Sequence, residues 1–156
     1  MARGKAKSGA TEAMAALWDP AAPGLWYCTW KIWLEARQRL DRALAPLEMR
    51  AREYWLLAIA GPGNVAQHEI ASRFGIDPSS LVAVLDGLER RGWVRRQRNP
   101  RDRRVQWVQR TEEGDRLFAR ALPRAKRAET RHLATLSAGQ QRELVAAMRA
   151  LIAISK

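Results

Sequence analysis

Cysteine and histidine are scarce: one Cys and two His in 156 residues. A lone thiol, Cys28, excludes an internal disulfide framework and fits a reducing cytoplasm. His68 and His132, the only histidines, stand in no Cys or carboxylate arrangement at ligand spacing that would make a metal site, so none is expected. Long apolar runs are missing too. The clearest, Tyr54 to Ala60, is well short of the about 18 residues a membrane span requires. No apolar stretch follows the basic amino terminus, so no secretory signal is read there. A glycine-rich phosphate loop and a nucleophile elbow are also lacking, and the carboxylates sit at helix caps or among arginines. Neither an enzyme nor a bound cofactor is expected.

Acidic residues are few beside the basic ones. The chain carries 16 Asp+Glu against 28 Lys+Arg, a net charge of +12 and a pI near 11.2. Such a surplus predicts a polyanionic partner, nucleic acid before a membrane surface. The remaining composition, 47% apolar and 28% charged, is that of a globular protein with one core.

Residues 1–22 are small, polar and basic and read as an arm, with one short helix around Thr11 to Trp18. From Leu25 to Leu44 apolar residues recur at helical spacing and Pro46 closes the helix. A second helix covers about Arg50 to Ala60 and stops at Gly61-Pro62-Gly63. Ala66 to Phe74 reads as a short helix ended by Gly75. Asp77-Pro78 opens another, with Asp77 as N-cap and Pro78 at the first helical position. In it Leu81, Leu85 and Leu88 form one buried stripe while Ser79, Ser80, Ala83 and Asp86 point away. Two short helices joined by a tight glycine-containing turn are the grammar of a helix-turn-helix.

After Gly92 the period changes to that of a hairpin, or wing, with Asn99-Pro100-Arg101-Asp102 at its tip. Thr111 then caps a long helix that Pro123 is expected to kink, and Ser137 with Gln140 forms a capping box for a last helix. There Leu144, Met148, Leu151 and Ile152 make an apolar stripe. The fold class is mainly α with a small β wing.

Six of the ten residues from Arg95 to Arg104 are arginine. A guanidinium is permanently charged and flat, suited to phosphate or to a narrow minor groove. Gathering six on one hairpin costs mutual repulsion that a polyanion relieves. Arg90, Arg95, Arg98, Arg101, Arg103 and Arg104 are therefore candidate DNA contacts, with Asp102 as a brace for a neighbouring arginine. Ser79, Ser80 and Ala83, on the outward face of the second short helix, are candidates to meet phosphates or base edges; capping is the other role open to the serines.

The runs Gln67-His68-Glu69-Ile70-Ala71, Gly75-Ile76-Asp77-Pro78-Ser79-Ser80-Leu81-Val82, Leu88-Glu89-Arg90-Arg91-Gly92-Trp93-Val94-Arg95-Arg96, Asp102-Arg103-Arg104 and Arg110-Thr111-Glu112-Glu113-Gly114 resemble, in this order, the MarR family of winged-helix transcription regulators. The resemblance covers about residues 45–115 by motif. It implies a homodimer that binds a pseudo-palindromic operator, with residues 23–47 and 111–156 as dimerisation helices and 48–110 as the winged helix-turn-helix domain. It also implies that Arg104 enters the minor groove, held by Asp102, while the second short helix lies in the major groove. The chain departs from the family pattern at Met49-Arg50 and Glu53, and again at Arg110, where the family has Leu.

Five of the seven tryptophans precede residue 56, and Trp26, Trp30 and Trp33 share a helical face. Together with Tyr54 and Trp55 they are candidates for an aromatic effector pocket of the kind the family implies, or for dimer core. Cys28 reads as an inert thiol, with redox sensing the weaker alternative. The expected protein is thus a cytoplasmic, nucleoid-associated, ligand-responsive repressor whose partners are double-stranded DNA, a second copy and a small aromatic ligand, without a membrane. An architectural DNA-binding protein with no effector is the alternative.

Overall fold

The computed structural model describes residues 24–61 and 63–154. The expected amino-terminal arm, its short helix and Trp18 lie outside the described residues. The chain divides into two units between Gln38 and Arg39, within helix α1 (Leu25–Leu44).

In the first unit the face formed by Trp26, Trp30 and Trp33 is exposed. Its side chains are ordered locally: Tyr27 and Trp30 lie 6.0 Å apart between ring centroids, Arg37 sits 5.5 Å over the Trp33 ring, and Lys31 pairs with Glu35 at 3.4 Å. Cys28 is half-buried.

The second unit holds the core. The end of α1 passes through a single 3-10 turn (Ala45–Leu47) into α2 (Ala51–Ala60). The free N–H groups at the start of α2 find carboxylates: Arg50 N–H donates to Glu53 at 2.7 Å and Ala51 N–H to Asp41 at 2.6 Å. A two-residue strand, β1 (Val65–Ala66), leads into α3 (Gln67–Phe74) and α4 (Pro78–Arg90). The hairpin strands β2 (Val94–Arg98) and β3 (Gln106–Arg110) follow, then the long α5 (Glu112–His132) and α6 (Ala138–Ile154).

The three strands form an antiparallel sheet in the order β1-β3-β2, with Val65 opposite Val108 and Arg96 opposite Val108 on the other edge. The sequence reading has no β1 and starts α3 one residue early, because a strand of two residues carries no alternation to detect. Ala66 instead pairs with Trp107.

At 13 residues α4 is about the length at which an isolated helix is marginal, so packing must hold it. Leu81, Leu85 and Leu88 are 0–1% exposed and Val84 joins them, against Leu44, Leu56, Leu57, Ile70 and Val108. Each such leucine contributes about 1.5–3 kcal/mol by burial. The expected stripe is the observed one.

The long helix α5 is continuous through Pro123. The missing N–H and the crowding of the preceding turn are local costs. Leu117, Ala121 and Ala125, buried on the same helix, anchor both sides of the proline to the core. In α6 the capping box is present, with Ser137 N–H to Gln140 at 2.9 Å and Gln140 N–H to Ser137 Oγ at 3.3 Å. Of its expected stripe, Met148, Leu151 and Ile152 are exposed and Leu144 is half-buried; Val145 beside them is exposed as well. No helix among the described residues is long and apolar enough to cross a membrane.

One glycine fixes how α5 leaves the wing. Gly114 lies so close to the Trp93 carbonyl that a Cβ there would overlap it. Thr111 completes the joint: its hydroxyl donates to the Gly92 carbonyl and accepts from Gly114 N–H, while its own N–H donates to Trp93 O at 3.2 Å. Gly87, inside α4, has open space where its Cβ would be. Gly114→Ala is expected to destabilise the protein by about 1–3 kcal/mol through backbone displacement, whereas Gly87→Ala should be stabilising by up to about 1 kcal/mol. Thermal unfolding of the two variants beside the wild type checks both signs.

Candidate nucleic-acid interface

The N-terminus of α4 is built by Asp77. Its carboxylate accepts from Ser79 N–H at 3.3 Å, from Ser80 N–H at 2.8 Å and from the Ser79 hydroxyl at 2.7 Å. The Ser79 hydroxyl first, and then the Ser80 N–H, holds the Asp77 carboxyl down to about 2, so the cap stays ionised throughout the neutral range. Ser79 and Ser80 are exposed, and Ala83 is exposed one turn further on. With its proton committed to Asp77, the Ser79 oxygen faces solvent as an acceptor. Arg90 is exposed in the last turn.

The six arginines of the hairpin do not share one role. Arg96 turns inward: its Nε donates to Glu89 at 2.9 Å, its Nη2 bridges to both Glu89 and Asp86, and its backbone N–H donates to Glu89 at 3.0 Å. Two carboxylates of α4 thus grip one residue of β2. The Arg96 guanidinium in turn holds the Glu89 carboxyl below its usual range. Arg95 forks across the hairpin onto the side-chain oxygen of Gln109, at 3.1 and 2.7 Å, a neutral partner that leaves its charge intact. Arg98, Arg101, Arg103 and Arg104 are exposed.

The tip between the strands is ordered by side chains that imitate turns. Asn99 accepts from Arg101 N–H at 2.8 Å, and Asp102 accepts from Arg104 N–H at 3.0 Å. The Arg104 guanidinium lies 3.5 Å from Asp102 and is 94% exposed. Asp102 therefore meets Arg104 through both backbone and side chain, while the charged head projects outward.

Two further arginines, which the composition does not single out, fasten this surface to the rest of the unit. Arg91 donates to the Glu48 carbonyl at 2.6 Å, approaches Glu53 at 3.4 Å and lies 3.5 Å over the Trp93 ring. Glu48 itself adopts the left-handed region, φ 51°. Arg110 donates to the Leu57 carbonyl at 3.1 Å and lies 4.4 Å over Phe118; its Nε is 2.7 Å from Asp115, an ion pair not aligned as a hydrogen bond. A leucine, which the family pattern has at this position, could make neither polar contact. Only the context of α2 and α5 reveals why an arginine stands there.

Of the aromatic candidates, Tyr54 is buried, stacked on Phe118 with centroids 5.5 Å apart, and burial raises its phenol's pKa, with the charge of Glu129 adding to the effect. Trp55 packs edge-on to Tyr54 at 5.3 Å and is half exposed. Trp26, Trp30 and Trp33 belong to the first unit and lie open there. His68 is exposed, and no group of three metal-type ligands occurs among the described residues.

This arrangement matches known proteins. The sequence model of the MarR family matches residues 56–105. Among solved structures, the fold superposes on a MarR-family transcriptional regulator from Rhodococcus sp. RHA1 with a TM-score of 0.77 at 28% identity, over 81% of this chain and 91% of that one. The transcriptional repressor CouR bound to a 23-mer DNA duplex superposes with a TM-score of 0.73 at 32% identity, over 83% of this chain and 92% of that one. The chain belongs to the MarR family. CouR from Rhodococcus jostii RHA1 is also known bound to p-coumaroyl-CoA (26% identity, TM-score 0.73, 82% and 91% of the two chains). The HTH-type transcriptional repressor MdtR of Bacillus subtilis is 32% identical over 87 residues. The chain spans about half the length of the curated relatives it matches, 56% for MdtR.

For this MarR-family chain the Arg96 tie has a predictable pH dependence. Glu89 is held below its ordinary value in the folded state, so its contribution is complete above the unfolded carboxylate range and is lost as pH falls through the depressed value. Glu89→Gln should therefore be less stable than the wild type at pH 7, with the gap closing as pH falls toward 3. Chemical unfolding across that range measures it.

Proposed function

We propose that the protein is a DNA-binding transcriptional regulator that acts as a homodimer on a pseudo-palindromic operator. Helix α4 enters the major groove with Ser79, Ser80 and Ala83 toward the bases, and the wing lays Arg98, Arg101, Arg103 and Arg104 along the adjacent backbone and minor groove. The observation that carries this reading is the split among the wing arginines: Arg96 is neutralised internally against α4, while the exposed ones are presented on a tip ordered by Asn99 and Asp102. Likeness to CouR, solved on a DNA duplex, supports it.

A second copy is the natural cover for the apolar faces left open at the two ends of the chain. Trp26, Trp30 and Trp33 on α1 and Met148, Leu151 and Ile152 on α6 are each about half exposed or more. Burying them between copies removes a surface that a monomer would not keep in water. Control by a small aromatic ligand is the finer part of the proposal. It is supported by the half-exposed ring of Trp55 and by CouR's complex with p-coumaroyl-CoA. Repression, rather than activation, follows the relatives MdtR and CouR. The net charge of +12 also favours a second reading, an architectural protein indifferent to sequence.

Titration onto DNA from upstream of its own coding sequence, against a scrambled competitor, separates the two: selective binding supports the regulator, equal binding the architectural protein. With the selected DNA, affinity should fall with salt at a logarithmic slope of about 0.9 per phosphate neutralised. Arg104→Ala should weaken binding and lower that slope by about one per wing. An unchanged salt titration for Arg104→Ala would remove the wing from the interface.

A further inference from the structure

Helix α4 begins with its donors already spent. Pro78 has no N–H, and Ser79 and Ser80 give theirs to the Asp77 carboxylate at 3.3 and 2.8 Å. Leu81 gives its own to the Asp77 carbonyl at 3.1 Å. The amides that draw phosphate to other helix starts are therefore occupied, and an exposed carboxylate stands in front of them.

The Ser79 side chain is fixed by the same partner. Its oxygen lies 2.7 Å from the Asp77 carboxylate. The Ser79 hydroxyl is also the first cause holding the Asp77 carboxyl down to about 2, so at neutral pH that group is ionised and can only accept. The hydroxyl hydrogen points at Asp77. Turning it outward would give up a charge-assisted bond, roughly twice as strong as a neutral one. What Ser79 shows to solvent is lone pairs alone. Leu81, Leu85 and Leu88 are buried on the far side of the helix. Ser79 shares the outward side with Ala83, one turn on, which has no polar side-chain atom. Asp86 is occupied by Arg96. Arg90 can donate, but it comes 11 residues after Ser79, about 17 Å along the axis.

We propose, resting on the major-groove placement of α4 given above, that Ser79 selects a base carrying an exocyclic amine, adenine or cytosine, at one position of each operator half-site. Asp77 positions its hydroxyl for that choice. In the major groove adenine N6 and cytosine N4 donate, whereas guanine N7 and O6 and thymine O4 accept. An oxygen with only lone pairs to offer bonds the first two bases and meets the others acceptor against acceptor. A free serine hydroxyl turns to donate or accept and tolerates all four. The tether to Asp77 removes that tolerance.

Selection of binding sites from a random duplex library tests this, run with the full chain as wild type, Ser79→Ala and Asp77→Gly. Glycine at an N-cap costs only a few tenths of a kcal/mol more than the residues preferred there, so the helix should persist in Asp77→Gly. The wild type should favour adenine and cytosine over guanine and thymine at one position per half-site by about three- to tenfold, the worth of one hydrogen bond. Ser79→Ala should level that position and keep the rest of the motif. Asp77→Gly, with the Ser79 hydroxyl present and free to turn, should level it too. Replacing the selected adenine by purine, or the selected cytosine by 2-pyrimidinone, removes the amine. That change should weaken wild-type binding by the same factor and leave Ser79→Ala unmoved. A motif that Ser79→Ala leaves intact, or a preference for guanine or thymine at the position it levels, would overturn the assignment while the major-groove placement stands. An unchanged preference in Asp77→Gly would overturn the orienting role of Asp77. Recovery of no motif by the wild type would remove the major-groove reading itself, and the assignment with it.

Discussion

The ion-pair cluster of Arg96 with Glu89 and Asp86 decides what the neighbouring arginines can do. Like charges on a hairpin repel, and a two-stranded ribbon alone has little to hold it in place. By gripping β2 from the side of α4, the two carboxylates turn the wing and α4 into one body. The exposed arginines then keep fixed positions relative to Ser79 and Ser80. A partly buried pair of this kind contributes less to net stability than to where things are. Here its consequence is geometric: the two elements proposed to contact DNA share one frame.

That frame is joined to the rest of its unit by a few further contacts. Gly114 lets the start of α5 meet the Trp93 carbonyl, and Thr111 closes the joint from both sides. Arg110 reaches from the end of β3 to the Leu57 carbonyl and lies over Phe118, which stacks on Tyr54. Arg91 does the same from the end of α4 to Glu48. These contacts link the wing to α2 and α5, so a shift in either helix has a direct mechanical route to the exposed side chains of α4 and the wing.

Most of the architecture was legible in the sequence because it is written in local patterns. The Leu81, Leu85, Leu88 stripe, the Asp77-Pro78 start and the Ser137–Gln140 box each need only a few consecutive residues, and each is present as read. What escaped depends on distant partners. The strand β1 exists only because Val108 and Trp107 lie beside it. Arg96 is indistinguishable from its neighbours in a run of arginines until its pairing with α4 is seen. Arg110 looks like a departure from a family pattern, and its purpose lies 53 residues back at Leu57. Tyr54 is a pocket candidate through the family resemblance, and its burial against Phe118 is visible only once α5 is in place.

The central claim is that α4 and its fixed wing read a defined DNA sequence. Selection of binding sites from a random duplex library by the purified protein tests it most directly. The account predicts enrichment of an inverted repeat whose half-sites are centred about one helical turn, 10–10.5 base pairs, or a multiple of it apart. Recovery of sequences with no common motif, at undiminished affinity, would contradict it.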